Sequence, residues 1–315
     1  MKKKKSKTRE IRDTCNAILN QISHNLTKSQ YKQIVRRYVE YCRCEFNVQT
    51  FAECKGYIQA YCDYLQEKSY TPSTIHTYIS GVCKCWNVPL KLIDKPIRHM
   101  SEYTKGRSRY KEKYRSDEDL LSGKHHNLVA FQSVVGIRRS ELMKLKKENF
   151  IQKDGKYFVE VLCGKGGKDS LVYIEDKDVP LVRKYFDRVK EGEYIFAKEE
   201  FANSLNLHFL RAERAKILYK NTVLKLQNNP QYRKELERFV RQYWRENNFS
   251  KKTGKPKPFP EKSIHGVYIL RGSNRSFAIK NKLPYVYDRL ALKFVSMVAL
   301  CHFREDITCL YLLYT

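Results

Sequence analysis

Long apolar runs and C-x-x-C motifs are absent from this 315-residue sequence, and acidic residues are few. No apolar run approaches the roughly 20 residues that span a bilayer, which excludes a transmembrane helix. The ten cysteines are scattered, and the pairs Cys42/Cys44 and Cys83/Cys85 have C-x-C spacing, which is unusual for zinc sites. No signal peptide precedes the first helical pattern. We therefore expect a soluble, cytoplasmic protein with reduced, mostly buried thiols and no bound metal.

The excess of positive charge is the main signal in the composition. The 62 Lys and Arg residues outnumber 34 Asp and Glu, which gives a formal net charge of +28. Such a charge repels itself unless a polyanion is close. The 23 Tyr residues suit packing against sugars and bases. The composition favours DNA or RNA as a partner over an anionic membrane. The alternative is a merely basic, solvated surface.

Changes in apolar periodicity along the chain predict two domains, as the length allows. Residues 1–9 form a basic arm, which we expect to be disordered until it meets phosphate. Residues 10–100 carry four amphipathic helical patterns and predict a helical domain. Residues 101–116 lack apolar periodicity and predict a linker, and residues 117–315 form the second domain. The predicted fold class is mainly α with a small β-hairpin or sheet.

Two helix starts in the first domain have clear capping signals. Thr50 and Glu53 form a capping box ahead of an apolar stripe that begins at Phe51. Thr71 followed by Pro72 is typical of a helix N-terminus, because the missing N–H of proline costs nothing there.

The predicted linker contains a run of alternating basic residues. An extended segment of this kind can follow a phosphate backbone. The candidate DNA contacts in it are Lys105, Arg107, Arg109, Lys111 and Lys113. The alternative interpretation is a solvated hinge that contacts nothing.

The second domain begins with a helix that Gly136 interrupts, followed by a new helix near Ser140. Arg138 therefore lies in the turn between two helices. The runs Lys156–Leu162 and Ser170–Glu175 flank a Gly-rich segment and predict a β-hairpin, with Lys165 on its tip.

Three further candidate residues lie in helical patterns towards the C-terminus. His208 and Arg211 are three residues apart, so they share one face of a helix. Separate helices are predicted at about 216–227 and 231–247, followed by a basic loop. A last helix precedes His302, and a short terminal turn carries Tyr311.

The local frames of these residues are GIRRSEL, GKGGKDS, HFLR and CHFREDITCLY, in chain order. Together they resemble the active-site constellation of the tyrosine recombinase (phage integrase) family. The helical segment that ends in STIHTYISGV resembles the core-binding domain of that family. The resemblance implies a two-domain tyrosine recombinase architecture, with a helical core-binding domain and a mixed α+β catalytic domain.

The resemblance also implies a role for each residue. Arg138 and Arg211 are the two catalytic arginines that clamp the phosphate, and Tyr311 is the nucleophile. Lys165 protonates the departing 5′ oxygen, with Lys168 as a competing candidate. Tyr314 is a less well-spaced alternative to Tyr311.

The two histidines of the set complete the implied constellation. The resemblance implies that His208 is a general acid or base beside the phosphate. It implies that His302 donates to a non-bridging oxygen and helps to seat the tyrosine. Alone, each residue of the set is commonplace, and their joint order gives the prediction its weight.

The sequence departs from the family at three places inside the catalytic half, and one of them is that only Leu312 to Thr315 follow the candidate nucleophile. Cys301 stands where the family commonly has glycine before its second histidine. An apparent insertion at about 216–285 looks like that of integrases from bacterial mobile elements, and its charge suggests extra DNA contact.

The predicted function is a site-specific DNA recombinase or integrase that acts through a covalent 3′-phosphotyrosine. The resemblance implies a homotetramer on two sites in double-stranded DNA, no cofactor, no metal and no ATP. It also implies a bacterial or mobile-element protein associated with the nucleoid. One alternative is a DNA-binding protein of the same fold that does not cleave. Another is a basic, helical RNA-binding protein.

Overall fold

The structure is a computed structural model that describes residues 6–98, 125–164, 167–201, 205–250 and 253–313. It divides the chain into two compact units, Met1–His99 and Met100–Thr315. The predicted linker at 101–116 lies outside the described residues, and so do its five candidate DNA contacts. Helices dominate both units and the sheets are small, so the predicted mainly α class is confirmed.

The first unit consists of helices packed around aromatic residues and buried thiols. Its helices are α1 (Lys7–Leu19), α2 (Asn25–Phe46), α3 (Phe51–Cys54), α4 (Ile58–Glu67) and α5 (Pro72–Cys85). A 3₁₀ turn at Lys55–Tyr57 divides the predicted third helix into α3 and α4.

Both predicted caps of the first unit are confirmed. The Thr50 side chain accepts from the N–H of Glu53, and the Glu53 carboxylate accepts from the N–H of Gln49. The Thr71 side chain accepts from the N–H of Thr74 at the start of α5. At the centre, the fully buried Tyr38 meets the ring of Trp86 edge-on at 5.1 Å.

The predicted disorder of the basic arm is wrong for residues 7–9. The Ser6 hydroxyl accepts a hydrogen bond from the N–H of Arg9 at 3.3 Å, and α1 begins at Lys7. The serine cap satisfies an N–H group that the helix leaves unpaired, and Ile11 then anchors the first turns in the core. Residues 1–5 lie outside the described residues.

The second unit combines helices with two small antiparallel sheets. Its helices are α6 (His126–Val135), α7 (Arg139–Leu142), α8 (Val179–Phe186), α9 (Leu207–Asn228), α10 (Pro230–Asn247), α11 (Gly272–Lys280), α12 (Arg289–Val298) and α13 (Glu305–Leu313). Its strands are β1 (Phe150–Lys153), β2 (Lys156–Val161), β3 (Ser170–Ile174), β4 (Val267–Ile269) and β5 (Val286–Asp288).

The predicted β-hairpin exists, but it belongs to a three-stranded sheet. Strands β2 and β3 pair from Tyr157↔Ile174 to Val161↔Ser170, and β1 pairs with the other edge of β2. Strand β1 has only four residues and two of them are exposed, so its apolar pattern is weak. A separate sheet of β4 and β5 was not predicted either.

Helix α9 is longer than predicted, and the prediction of a separate helix at 216–227 is wrong. The Asn206 side chain accepts from the N–H of Phe209 and begins the helix. No glycine or proline interrupts it before Pro230, where Asn229 caps α10. The helix that carries His208 and Arg211 therefore continues into the apparent insertion.

The end of the chain also differs from the prediction. The segment after His302 is the nine-residue helix α13, whereas the sequence predicted a short turn. Helix α12 packs beside α9 and α13 in one apolar cluster of the second unit. None of the helices in the described residues combines the length and apolar character needed to cross a bilayer.

Candidate active site

Arg138 is held by Glu141 at the start of α7. The backbone N–H of Arg138 donates to Oε2 of Glu141 at 2.9 Å, and its Nη1 donates to Oε1 at 2.5 Å. Glu141 is 5% exposed, whereas the Arg138 side chain keeps 23% of its surface. The buried carboxylate therefore fixes both the backbone and the direction of a guanidinium that reaches solvent.

The charge of Glu141 is maintained by the same contacts. Burial alone would raise the pKa of the Glu141 carboxyl. The N–H and the guanidinium of Arg138 outweigh burial, with a smaller contribution from Arg211, so the pKa is lowered. Glu141 is therefore ionised at neutral pH and remains a partner for Arg138.

His302 completes the polar contacts of Arg138. Nη2 of Arg138 lies 2.8 Å from Nε2 of His302. A guanidinium can only donate, so Nε2 must accept, which places the imidazole proton on Nδ1. The N–H groups of His302 and Phe303 both donate to the carbonyl oxygen of Ser296, which ties this segment to the end of α12.

Cys301 adopts a conformation that glycine favours. Its φ is +48°, in the left-handed region, and its thiol lies 3.7 Å from the carbonyl oxygen of Leu171 in β3. The resemblance implied glycine at this position. Here a thiol occupies it at the cost of backbone strain and joins the His302 segment to the sheet.

Tyr311 lies between the two candidate histidines. Its ring centroid is 5.5 Å from that of His208, in the first turn of α9, and 5.6 Å from that of His302. Tyr311 is only 5% exposed. A chain of contacts therefore runs from Tyr311 through His302 to Arg138.

Arg211 lies beneath this arrangement and is 1% exposed. Its Nη1 donates to the carbonyl oxygen of Gly136 and its Nη2 to that of Leu300, each at 2.7 Å. These carbonyls lie two residues before Arg138 and His302. Arg211 thus joins the two segments that carry the site, and its direct contact with phosphate stays a prediction.

A second buried side chain ties the same region together. Gln132 is fully buried in α6, and its amide donates to the carbonyl oxygens of Ile137 at 2.5 Å and Leu207 at 3.0 Å. These residues directly precede Arg138 and His208. The sequence analysis did not single out Gln132, because a glutamine on a helix is usually exposed.

Arg138 and His302 line one concavity of about 1010 Å³ on the second unit. Lys168 also lines it, whereas Lys165 lies outside the described residues. The described wall of this concavity contains both positive and negative side chains, since Arg304 lies there together with carboxylates. Those carboxylates belong to Glu141, Glu160, Asp169 and Glu246. Within the described residues, the wall of the concavity therefore holds a few cations among acidic side chains.

The base of the hairpin packs closely against the Arg138 region. The N–H of Gly164 donates to the carbonyl oxygen of Lys168 at 2.8 Å. A Cβ at position 164 would lie 3.1 Å from Oε1 of Glu141. The missing side chain lets the hairpin base approach the carboxylate that holds Arg138, and this approach brings Lys168 to the concavity.

One wall of the concavity comes from the apparent insertion and was not predicted as part of the site. Residues 246–250, at the end of α10 and just after it, line the concavity with Arg138 and His302. The basic loop that follows α10 is visible in the sequence. Its position became apparent only in the folded chain.

The structure thus brings together Arg138, His208, His302 and Tyr311. Arg211 is buried next to them and contacts the segments that precede Arg138 and His302. Tyr314 lies outside the described residues. In the described ranges, no group of three or more His, Cys, Asp and Glu side chains is arranged to hold a metal ion.

No protein-family model matches the sequence, and no curated protein matches it. Several solved structures are similar. The XerH site-specific recombinase in a post-cleavage complex with a palindromic difH substrate has a TM-score of 0.41 at 13% identity, over 71% of this chain and 89% of XerH. The pre-cleavage XerH complex with difH has a TM-score of 0.37 at 13% identity, over 63% of this chain and 72% of that one.

The XerA recombinase has a TM-score of 0.26 at 17% identity, over 67% of this chain and 85% of XerA. Both of these proteins, XerH and XerA, are described as recombinases.

Proposed function

We propose that this protein is a site-specific DNA recombinase that cuts and rejoins strands through a covalent 3′-phosphotyrosine on Tyr311. One observation carries the proposal. Arg138, His302 and Tyr311 come from separate elements of the chain, and they form one continuous set of contacts beside a concavity. Arg138 is 164 residues from His302 in the sequence, and side chains that converge across such a distance are typical of a reacting centre.

Arg138 and His302 supply the electrophilic side of the reaction. The guanidinium keeps its charge at any working pH and presents a planar fork to two phosphate oxygens. Glu141 holds that fork from behind through Nη1. A phosphate in the concavity takes the place of His302 as the partner of Nη2, and Arg138 then stabilises the charge on its non-bridging oxygens. His302 donates to the phosphate only after its Nε2 has taken up a proton.

Tyr311 supplies the nucleophile. Its oxygen attacks phosphorus, the bond from phosphorus to the 5′ oxygen breaks, and a phosphotyrosine forms at the 3′ end. The phenolic proton passes to a neighbouring imidazole, of His208 or His302. The departing 5′ oxygen takes a proton from Lys165 or from Lys168. Attack by a 5′ hydroxyl on the phosphotyrosine reverses these steps, so rejoining consumes no ATP.

The burial of Tyr311 favours a second candidate, a DNA-binding protein of the same fold that does not cleave. Tyr311 is 5% exposed and Arg211 only 1%. In the cleaving protein, α13 must shift when DNA binds so that the phenol reaches phosphorus. In the second candidate the buried arrangement is permanent, and DNA binding never exposes Tyr311.

The remaining parts of the proposal concern assembly. The first unit and the linker at 101–116 hold double-stranded DNA, and four copies act on two sites. The charge of +28 supports this, because neutralised phosphates release counterions and strengthen binding. The activity belongs in a bacterial cytoplasm, on the DNA of a mobile element.

A covalent capture experiment tests the proposal. The protein is incubated with a library of nicked, random-sequence DNA duplexes, in which a cleaved end diffuses away and traps the intermediate. We expect DNA that stays attached to the wild-type protein in SDS and none attached to Tyr311→Phe. The matched control Tyr314→Phe should give wild-type amounts. If wild-type protein binds the duplexes and yields no adduct, the non-cleaving candidate replaces the enzyme.

The same assay tests the role of Arg138. Arg138→Lys keeps the positive charge and loses the planar fork that Glu141 orients. We expect the rate of adduct formation to fall roughly 100-fold, as for loss of one transition-state donor. DNA affinity, measured by fluorescence anisotropy, should change little. An unchanged adduct rate would exclude Arg138 from the reaction.

A further inference from the structure

The segment that follows α10 forms a rigid wall of the candidate site. Asn248 is 6% exposed, and its N–H donates to the carbonyl oxygen of Trp244 at 3.0 Å. Its own carbonyl oxygen accepts from the N–H of Lys257 at 2.8 Å. A β-bridge joins Phe249 to Pro256. The backbone of Phe249 is therefore fixed on both sides.

Trp244 anchors this wall to the rest of the site. Its indole N–H donates to the carbonyl oxygen of Lys257 at 2.9 Å. Its ring lies 5.6 Å from that of Phe303, the residue after His302, and the ammonium of Lys293 lies over it at 4.5 Å. The wall and the His302 segment thus both contact the buried Trp244.

Phe249 is the apolar group that this wall presents. Its side chain is 45% exposed and lines the same concavity as Arg138 and His302. A phenyl ring has no hydrogen-bonding group and cannot bind a phosphate oxygen. It offers a flat face that suits a nucleobase or a deoxyribose.

The segment that follows Phe249 is basic, although Glu246 lies on the same wall just before it. The sequence from Asn248 to Lys257 contains no acidic residue, and Lys255 and Lys257 are exposed. An aromatic ring followed in the sequence by exposed lysines suits a chain that alternates flat bases with phosphates. A phosphate held by Arg138 and His302 would occupy the same concavity as Phe249. The nucleotide at Phe249 is therefore a near neighbour of that phosphate along the DNA.

We propose that Phe249 is a DNA-contact residue that packs against the base or sugar of a nucleotide next to the phosphate bound by Arg138. This contact adds a DNA-binding residue to the proposed function. It rests on that function only in taking double-stranded DNA as the ligand. Phe249 thereby fixes the position of the strand along the concavity. The apparent insertion supplies this contact through the anchored wall.

The dependence of DNA binding on salt tests this subsite. Affinity for a mixed-sequence DNA duplex is measured by anisotropy over a series of salt concentrations. An apolar contact releases no counterion, so Phe249→Ala should weaken binding about fivefold or more at every salt concentration, with an unchanged slope. Phe249→Trp should bind like wild type. Lys257→Ala should instead make the slope shallower by about 0.9.

Tyr194→Ala is the matched control, because Tyr194 is an aromatic residue of the same unit, 56% exposed, and is not among the residues that line the concavity. It should bind like wild type. The proposal is overturned if Phe249→Ala binds within twofold of wild type, loses no more affinity than Tyr194→Ala, or changes the salt slope.

The two proposals fail separately. Absence of a Tyr311 adduct together with weakened binding of Phe249→Ala would remove the cleavage reaction and keep the subsite. A normal Tyr311 adduct together with unchanged DNA binding of Phe249→Ala would keep the cleavage reaction and remove the subsite.

Discussion

Glu141 directs Arg138, although no signal in the sequence identified it. Its carboxylate accepts from both the backbone and the guanidinium of Arg138. A capping box is recognised by Ser, Thr, Asp or Asn three residues before the glutamate. At this helix the position is occupied by Arg138, so only half of the pattern is present. The orientation of the candidate catalytic arginine therefore depends on a residue that looks like an ordinary exposed glutamate.

Glu141→Gln should destabilise the second unit in a pH-dependent way. The pKa of Glu141 is lowered in the folded protein, so its contribution is present above the ordinary carboxyl pKa and is lost as pH falls through the lowered value. We expect a loss of roughly 1.5–3 kcal/mol at neutral pH, which shrinks in acid. Urea unfolding followed by Trp244 fluorescence, in a Trp86→Phe background, measures it.

The control for this prediction is Glu160→Gln, which changes a carboxylate of the same concavity away from the Arg138 ion pair. It should change the free energy of unfolding little at any pH. If Glu141→Gln lowers the free energy of unfolding by the same amount at neutral and at acid pH, the prediction is contradicted. The ionised form of Glu141 would then not contribute to stability as its lowered pKa requires.

At the scale of elements, α9 unites the site. It carries His208 and Arg211, and it packs against the turn after α6, where Gly136 has a φ of +68°. A Cβ at position 136 would lie 3.1 and 3.2 Å from side-chain carbons of Arg214. The left-handed conformation and the close approach both require glycine. This contact permits Arg211 to reach the carbonyl of Gly136.

Gly136→Ala should destabilise the second unit more than an alanine in an open turn. Gly155 is the matched control, since its φ is +71° and nothing lies within 4 Å of its Cβ position. Both changes cost about 1–2 kcal/mol for the left-handed conformation. Gly136→Ala should cost roughly 1–3 kcal/mol more, because the buried side chain of Arg214 must shift to make room. Urea unfolding compares the two variants, and equal losses would show that the close approach has no energetic weight.

Helices α12 and α13 are joined by a buried ion pair. Lys293 is 1% exposed and pairs with Glu305 in the first turn of α13. Breaking a buried pair leaves an uncompensated charge, so this contact resists separation of the two helices. Tyr311 lies two turns further along α13. Any shift that exposes Tyr311 therefore bends the end of α13 or moves the ion pair with it.

How far the elements could be predicted depended on where their determining contacts lie. The caps at Thr50 and Thr71 are local, and they appear as predicted. Strand β1 is stabilised by pairing with β2, which its own four residues do not indicate. The burial of Arg211 depends on carbonyl groups of Gly136 and Leu300, which are distant in sequence. A motif locates a residue along the chain, and only tertiary packing decides its depth.

In the whole molecule, the excess of positive charge belongs to the full sequence, whereas the candidate reacting centre lies in the second unit. The net charge of +28 predicts the class of ligand but not where it binds. The described wall of the concavity is mixed in sign, so the site depends on a few placed cations more than on a broad basic surface. The fold supplies that placement.

Mass spectrometry of the captured protein identifies the residue that carries the DNA. The SDS-stable adduct is digested with nuclease and protease, and the peptide that carries the residual nucleotide is fragmented. We predict a nucleotide joined through phosphate to the oxygen of Tyr311, and no such peptide from Tyr311→Phe. A nucleotide on Tyr314 or on any other residue would contradict it, because the contacts among Arg138, His302 and Tyr311 would then not form the reacting centre.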